Sequence, residues 1–86
     1  SAKHHERAGL EALEVSYDKS RELRVAGRTL TRELLVVELK DRLRGDPEMR
    51  VILSADRALP YGDIIQVLDL IRGAGMRKVS LQVKSG

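Results

Sequence analysis

Apolar and polar residues alternate at the start of this chain. Leu13, Val15 and Tyr17 are separated by Glu14 and Ser16, a period of two that predicts a half-buried strand from Leu10 to Tyr17. Asp18, Lys19 and Ser20 supply turn residues, and "ELRVAG" resumes the alternation with Leu23 and Val25, so the two runs read as a hairpin. Gly27 either ends the second strand or introduces a bulge before "RTL".

The period then changes. Leu35, Leu39 and Leu43, with Val36, form an apolar stripe at helical spacing, and Glu38 and Arg42 make an outward pair one turn apart. Thr31 fits the N-cap, because its hydroxyl can accept a bond from a backbone N–H of the first turn. Leu30 and Leu35 flank it as a hydrophobic staple, and Glu33 meets the positive end of the helix dipole. "GDP" ends the helix, with Gly45 as the expected left-handed residue and Pro47 as the breaker.

Val51 to Ala55 is a near-continuous apolar run after a helix, which reads as a central strand covered on at least one face. Pro60 opens a second helix, where its missing N–H costs nothing. Asp63 lies in the first turn, Ile64, Val67, Leu68 and Ile71 line one face, Arg72 sits near the end and Gly75 follows as the cap glycine. Val79, Leu81 and Val83 then alternate with Ser80 and Gln82, a last strand.

The element order is therefore β-β-α-β-α-β. Right-handed crossovers between parallel strands put both helices on the same face. The predicted fold is α+β, a two-layer sandwich of a mixed sheet and two helices. Residues 1–9 are polar and without period and read as a flexible lead-in, "SAKHHERAG" having the look of a trimmed chain end. Residues 10–86 form the domain.

Composition narrows the function. The chain has 86 residues, room for one core, and 42% of them are hydrophobic. Two tyrosines are its only aromatic residues, so the core is expected to be Leu, Val and Ile. The net charge is +3, but Arg and Lys are interleaved with Glu and Asp, and only Tyr17 and Tyr61 offer rings to a base. Nucleic-acid binding is disfavoured on both counts, while an acidic partner or anionic polymer stays open. There is no cysteine, hence no disulfide, thiolate metal site or thiol nucleophile. No apolar run approaches the ~20 residues of a membrane span, and no signal peptide is visible.

The connector "ADRALPYG" is the first candidate site. Asp56, at the C-terminal end of a central strand, stands where a general base or metal ligand would be expected in such sheets. The competing reading makes Asp56 and Arg57 loop residues that cap backbone groups near a helix start. Acid–base and metal chemistry both need several groups together, and no second acid or histidine stands at a suitable spacing, so the capping reading is preferred. His4 and His5 lie in the lead-in without carboxylate support. "GAGMRK" follows a helix, whereas phosphate-cradling glycine loops precede one. Tyr61 is expected to pack its ring on the core edge with its hydroxyl in water. The last strand is left: if it lies at a sheet edge, its unpaired backbone groups can accept a strand from another chain. Lys78 and Lys84 would oppose this by blunting the edge.

The ordered segments resemble the periplasmic domain of the ExbD/TolR biopolymer-transport family. The apolar strand ending at Ala55–Asp56, then Pro60–Tyr61–Gly62, "IIQVLDLIRGAG" and "KVSLQV" carry the likeness, with "LRVAGRTLTRELLVVELKDRLRGDPE" upstream. It covers roughly residues 13–83. The resemblance implies a single-pass inner-membrane protein whose periplasmic domain dimerises. Its membrane partner would be of the ExbB or TolQ type, in a proton-driven motor that energises a TonB- or TolA-type protein. It implies no cofactor and no enzymatic activity. The family's proton-carrying aspartate lies in the transmembrane helix, so Asp56 does not inherit that role. "SADR" leans toward the ExbD branch, where the domain meets a TonB segment. The alternative is the TolR branch of the Tol-Pal system, where it meets peptidoglycan. Asp56, Arg57, Pro60, Tyr61 and Gly62 are the family-motif loop, and Val79, Leu81 and Val83 are the expected docking strand.

Overall fold

The computed structural model describes residues 12–85. Five strands and two helices follow one another as β1 (Ala12–Tyr17), β2 (Leu23–Val25), β3 (Arg28–Leu30), α1 (Arg32–Gly45), β4 (Arg50–Asp56), α2 (Tyr61–Gly73) and β5 (Lys78–Lys84). They build one mixed sheet in the order β3-β2-β1-β4-β5. β2 is antiparallel to both β1 and β3, and β4 is parallel to both β1 and β5. The fold is the expected α+β class, with one strand more than the alternation suggested. His4, His5, the lead-in 1–9 and the expected strand start at Leu10 lie outside the described residues.

The extra strand comes from the turn at Gly27. Val25 pairs with Arg28, so Ala26 and Gly27 form a two-residue loop with φ of 51° and 80°. Two left-handed residues make the tight hairpin turn that suits the twist of the flanking strands. Gly27 thus neither simply ends β2 nor bulges it. It returns the chain as β3, whose three residues are too few for a period to register. The preceding loop is held by Asp18, whose Oδ1 accepts from the N–H groups of Ser20 (2.9 Å) and Glu22 (3.0 Å). That sets Tyr17 opposite Leu23.

Thr31 caps α1 as expected, its Oγ1 accepting from the N–H of Leu34 at 3.1 Å. Leu35 and Leu39 are fully buried, with Leu30, Val36 and Leu43 packed against them. Gly45 departs from expectation. It is the last helical residue, without a positive φ, and Asp46 leaves the helix at φ −150°. The ring of Pro47 disfavours helical backbone at the residue before it, so the chain exits through an extended residue. Pro60 sits one position before the first residue of α2, with ψ 140°, and its carbonyl accepts from Asp63 (3.0 Å) and Ile64 (3.3 Å). Gly75 does take the left-handed cap, at φ 109°.

Register makes the core. Leu30, Leu23, Tyr17, Ala55 and Val83 lie in one row across the sheet. Val25, Val15, Leu53 and Leu81 lie in the next, and Leu13, Val51 and Val79 in a third. The buried faces of both helices, Leu35 and Leu39 with Ile64, Val67, Leu68 and Ile71, close on the centre of these rows. The other sheet face shows Glu14, Arg24, Ser80 and Gln82 to solvent. The core is aliphatic apart from Met76 and Tyr17, which is buried with its hydroxyl accepting from Arg32 at 3.4 Å.

Candidate partner-binding surface

Among the described residues β5 is a terminal strand of the sheet, paired only with β4. Parallel strands leave alternate N–H and C=O groups turned away from their single neighbour, and over seven residues these form a ready template for another strand. The opposite edge, β3, is three residues long and offers much less.

The hydrophobic rows run off this edge. Leu53 is fully buried, but its in-register neighbour Leu81 is 38% exposed; Ala55 is buried, and Val83 beside it is 54% exposed. Val79 is half-buried. The three expected docking residues are thus on the helix-covered face, yet progressively uncovered toward the C-terminal end of β5. A chain laid along β5 would extend the rows and cover Leu81 and Val83, a gain of roughly 1 kcal/mol for each side chain about half of whose area leaves water.

The two edge lysines do not guard the strand. Lys84 folds over the open face to Glu14 on β1, Nζ to Oε2 2.9 Å, and Lys78 reaches Glu48 at 2.8 Å. The Lys78 ammonium holds the Glu48 carboxyl below its ordinary value. The Glu14 carboxyl is lowered first by the Ser54 hydroxyl and then by Lys84. Ser54 also lies 3.5 Å from the Gln82 amide oxygen, at the limit for a hydrogen bond, and the carboxylate is the stronger claimant for its one proton.

The connector after β4 is structural. Asp56 Oδ1 accepts from the N–H of Ala58 at 2.8 Å, and the Asp56 carbonyl accepts from Leu59 at 3.1 Å. Arg57 donates its N–H to the Lys84 carbonyl (2.8 Å) and its guanidinium to Ser85 (3.2 Å), which pins the end of β5 to β4. Asp56 and Asp18 line one open hollow of about 260 Å³ at the ends of β1 and β4. Each carboxylate there accepts from turn backbone, and no group of three potential metal ligands exists among the described residues. Tyr61 departs from the expected core-edge packing, being 69% exposed. Gly62 lies in the first turn of α2 with open space where a Cβ would be. The loop motif therefore orders the β4–α2 junction and is not gathered with Val79, Leu81 and Val83 into one pocket.

Two features escaped sequence reading. Leu34 and Val37 stand exposed on α1, outside its buried stripe. Arg50, Arg77 and Lys78 meet at one end of β4 and β5, which only the strand register reveals. Among the described residues no helix is long and apolar enough to cross a membrane.

Residues 2–86 match the family model described as biopolymer transport protein ExbD/TolR. A biopolymer transport protein ExbD from Pseudomonas putida is 37% identical over 43 residues, covering 50% of this chain and 30% of that protein's length. The chain belongs to the ExbD/TolR family of biopolymer transport proteins.

Proposed function

We propose that this chain is the periplasmic domain of an inner-membrane, proton-motive-force transducer of the ExbD type. It dimerises beside an ExbB-type membrane partner and grips an extended segment of a TonB-type protein. The grip is strand addition on β5, in which backbone hydrogen bonds hold an extended segment with little demand on its sequence. The observation that carries this reading is the seven-residue strand, bonded to β4 on one side and without a neighbour among the described residues on the other, on which two hydrophobic rows end exposed at Leu81 and Val83 while its lysines are drawn away to carboxylates. Covalent chemistry has no part in it; Asp56 keeps a turn. The ExbD branch is favoured over TolR by the name of the Pseudomonas relative.

Titration of the isotope-labelled domain with a peptide from a TonB-type periplasmic segment tests the reading. Amide shifts concentrated in Lys78–Lys84 are expected. Binding to purified peptidoglycan, with no response to the peptide, would transfer the assignment to the TolR branch.

A further inference from the structure

The starts of three parallel strands form one row: Ala12, Arg50 and Lys78 are in-register neighbours. Val51 and Val79 face the helices, so Arg50 and Lys78 project together from the opposite side of the sheet. Like charges placed side by side on neighbouring strands repel and cost stability. Arg77 adjoins them, and the three cations surround an open cleft of about 340 Å³ that Ala12, Ile52 and Ser80 also line. Among the described residues one carboxylate answers them. Glu48 meets Lys78 at 2.8 Å and Arg77 at 3.4 Å, and Arg50 has no carboxylate partner among the described residues. At the far end of β5 the balance differs, since Lys84 is matched singly by Glu14.

From this arrangement we infer that the cleft is a docking surface for the phosphate groups of an anionic lipid bilayer. Its shape suits an array of anions better than one enclosed ion: the cleft is open, and its lining runs across the starts of β1, β4 and β5 with Arg50, Arg77 and Lys78 along it. Its place in the chain supports the same choice. Residues 1–11 lead into β1 at Ala12, on the rim of the cleft, so a tether on that side brings this end toward the membrane. This last step rests on the reading of the chain as a membrane-anchored periplasmic domain.

The test is flotation of the 86-residue chain with phosphatidylglycerol-containing vesicles and with pure phosphatidylcholine vesicles, at low and at high salt. Binding to the anionic vesicles alone is expected, lost at high salt, where exposed charges are screened within about 3 Å at 1 M. Arg50→Gln and Lys78→Gln are each expected to lower partitioning about fivefold, the worth of one cation near an anionic surface. Arg50→Lys should preserve it. These side chains are exposed, and an unchanged amide spectrum confirms that each variant folds. The contribution of residues 1–11 is common to all variants and cancels. Equal partitioning of the Arg50→Gln/Lys78→Gln variant and the unaltered chain would overturn the inference, as would equal binding to neutral vesicles. So would inorganic phosphate shifting the Arg50 and Lys78 amides, or peptidoglycan binding through these residues, without vesicle binding. Failure here leaves the partner-peptide titration untouched, because that experiment contains no lipid and reads strand addition along the β5 backbone, which needs neither the Arg50 nor the Lys78 side-chain charge.

Discussion

Single residues in this domain do their work through backbone conformation more than through reactive groups. Two glycines show the contrast. Gly75 has φ 109°, and a Cβ there would meet Leu43 Cδ1 at 3.2 Å, so Gly75→Ala adds both backbone strain and a clash. It should cost about 1–2 kcal/mol in urea unfolding. Gly62 sits in the first turn of α2 with open space at its Cβ position, so Gly62→Ala should raise stability by roughly 0.5–1 kcal/mol by removing helix-opposing freedom. If both substitutions shifted the midpoint the same way, the two backbone assignments would be wrong.

Charge at this scale makes a pH prediction. Glu38 is lowered by hydrogen bonds from Arg42 and then Arg28, Glu48 by Lys78, and Glu14 by Ser54 and Lys84, all from an ordinary 4.5. A folded-state value below the unfolded one means the stabilisation is fully present above pH 4.5. It fades as pH falls through that value and is gone below the folded one. All three groups meet solvent, so the loss is small. Thermal midpoints measured between neutral pH and pH 3 should be level above about pH 5 and decline below it. A decline beginning near neutrality would point to another group.

At the scale of elements, the strands divide sharply in what they contribute. β4 is central, and Leu53 is wholly enclosed between β1, β5 and the helices. Leu53→Ala should cost about 3 kcal/mol, since it removes buried methyl groups and leaves a cavity. Leu81, its register neighbour, is 38% exposed and half-covered on one side only. Leu81→Ala should cost under about 1 kcal/mol in chemical unfolding of the isolated domain, yet weaken capture of an extended partner. A loss of stability at Leu81 equal to that at Leu53 would make β5 a core strand and remove the reason to regard it as a docking edge.

The same elements show what could be read from residue order. The stripe of α1, its Thr31 cap and the buried face of α2 were legible because each repeats a local rule over several turns. β3 was not, since a three-residue strand carries no measurable period and depends on the turn at Ala26 and Gly27. Gly45 misled because the neighbouring Pro47 governs how the chain leaves the helix. The exposure of Tyr61 was hidden for a different reason. Amphipathic rings sit equally well at a core edge or in water, and only packing decides. The candidate site was legible in its strand and hidden in its surroundings. Alternation marks Val79, Leu81 and Val83, but that Lys78 and Lys84 turn to Glu48 and Glu14 depends on residues 30 and 70 positions away.

For the molecule as a whole, topology separates two tasks. Two crossovers place both helices over one face, which leaves one polar sheet face and one long edge without cover among the described residues. The edge carries the proposed grip, and the basic end where β1, β4 and β5 begin carries the proposed contact with the bilayer. Neither needs a cavity or a catalytic group. The proposed grip requires β5 to accept a strand, and amide hydrogen exchange tests that directly. In the free domain, β5 amides that face away from β4 should exchange rapidly while those of β4 stay protected. With a saturating TonB-type peptide, the outward β5 amides should become protected along the strand. A bound peptide that protects α1 around Leu34 and Val37, and leaves β5 exchanging as before, would contradict the account.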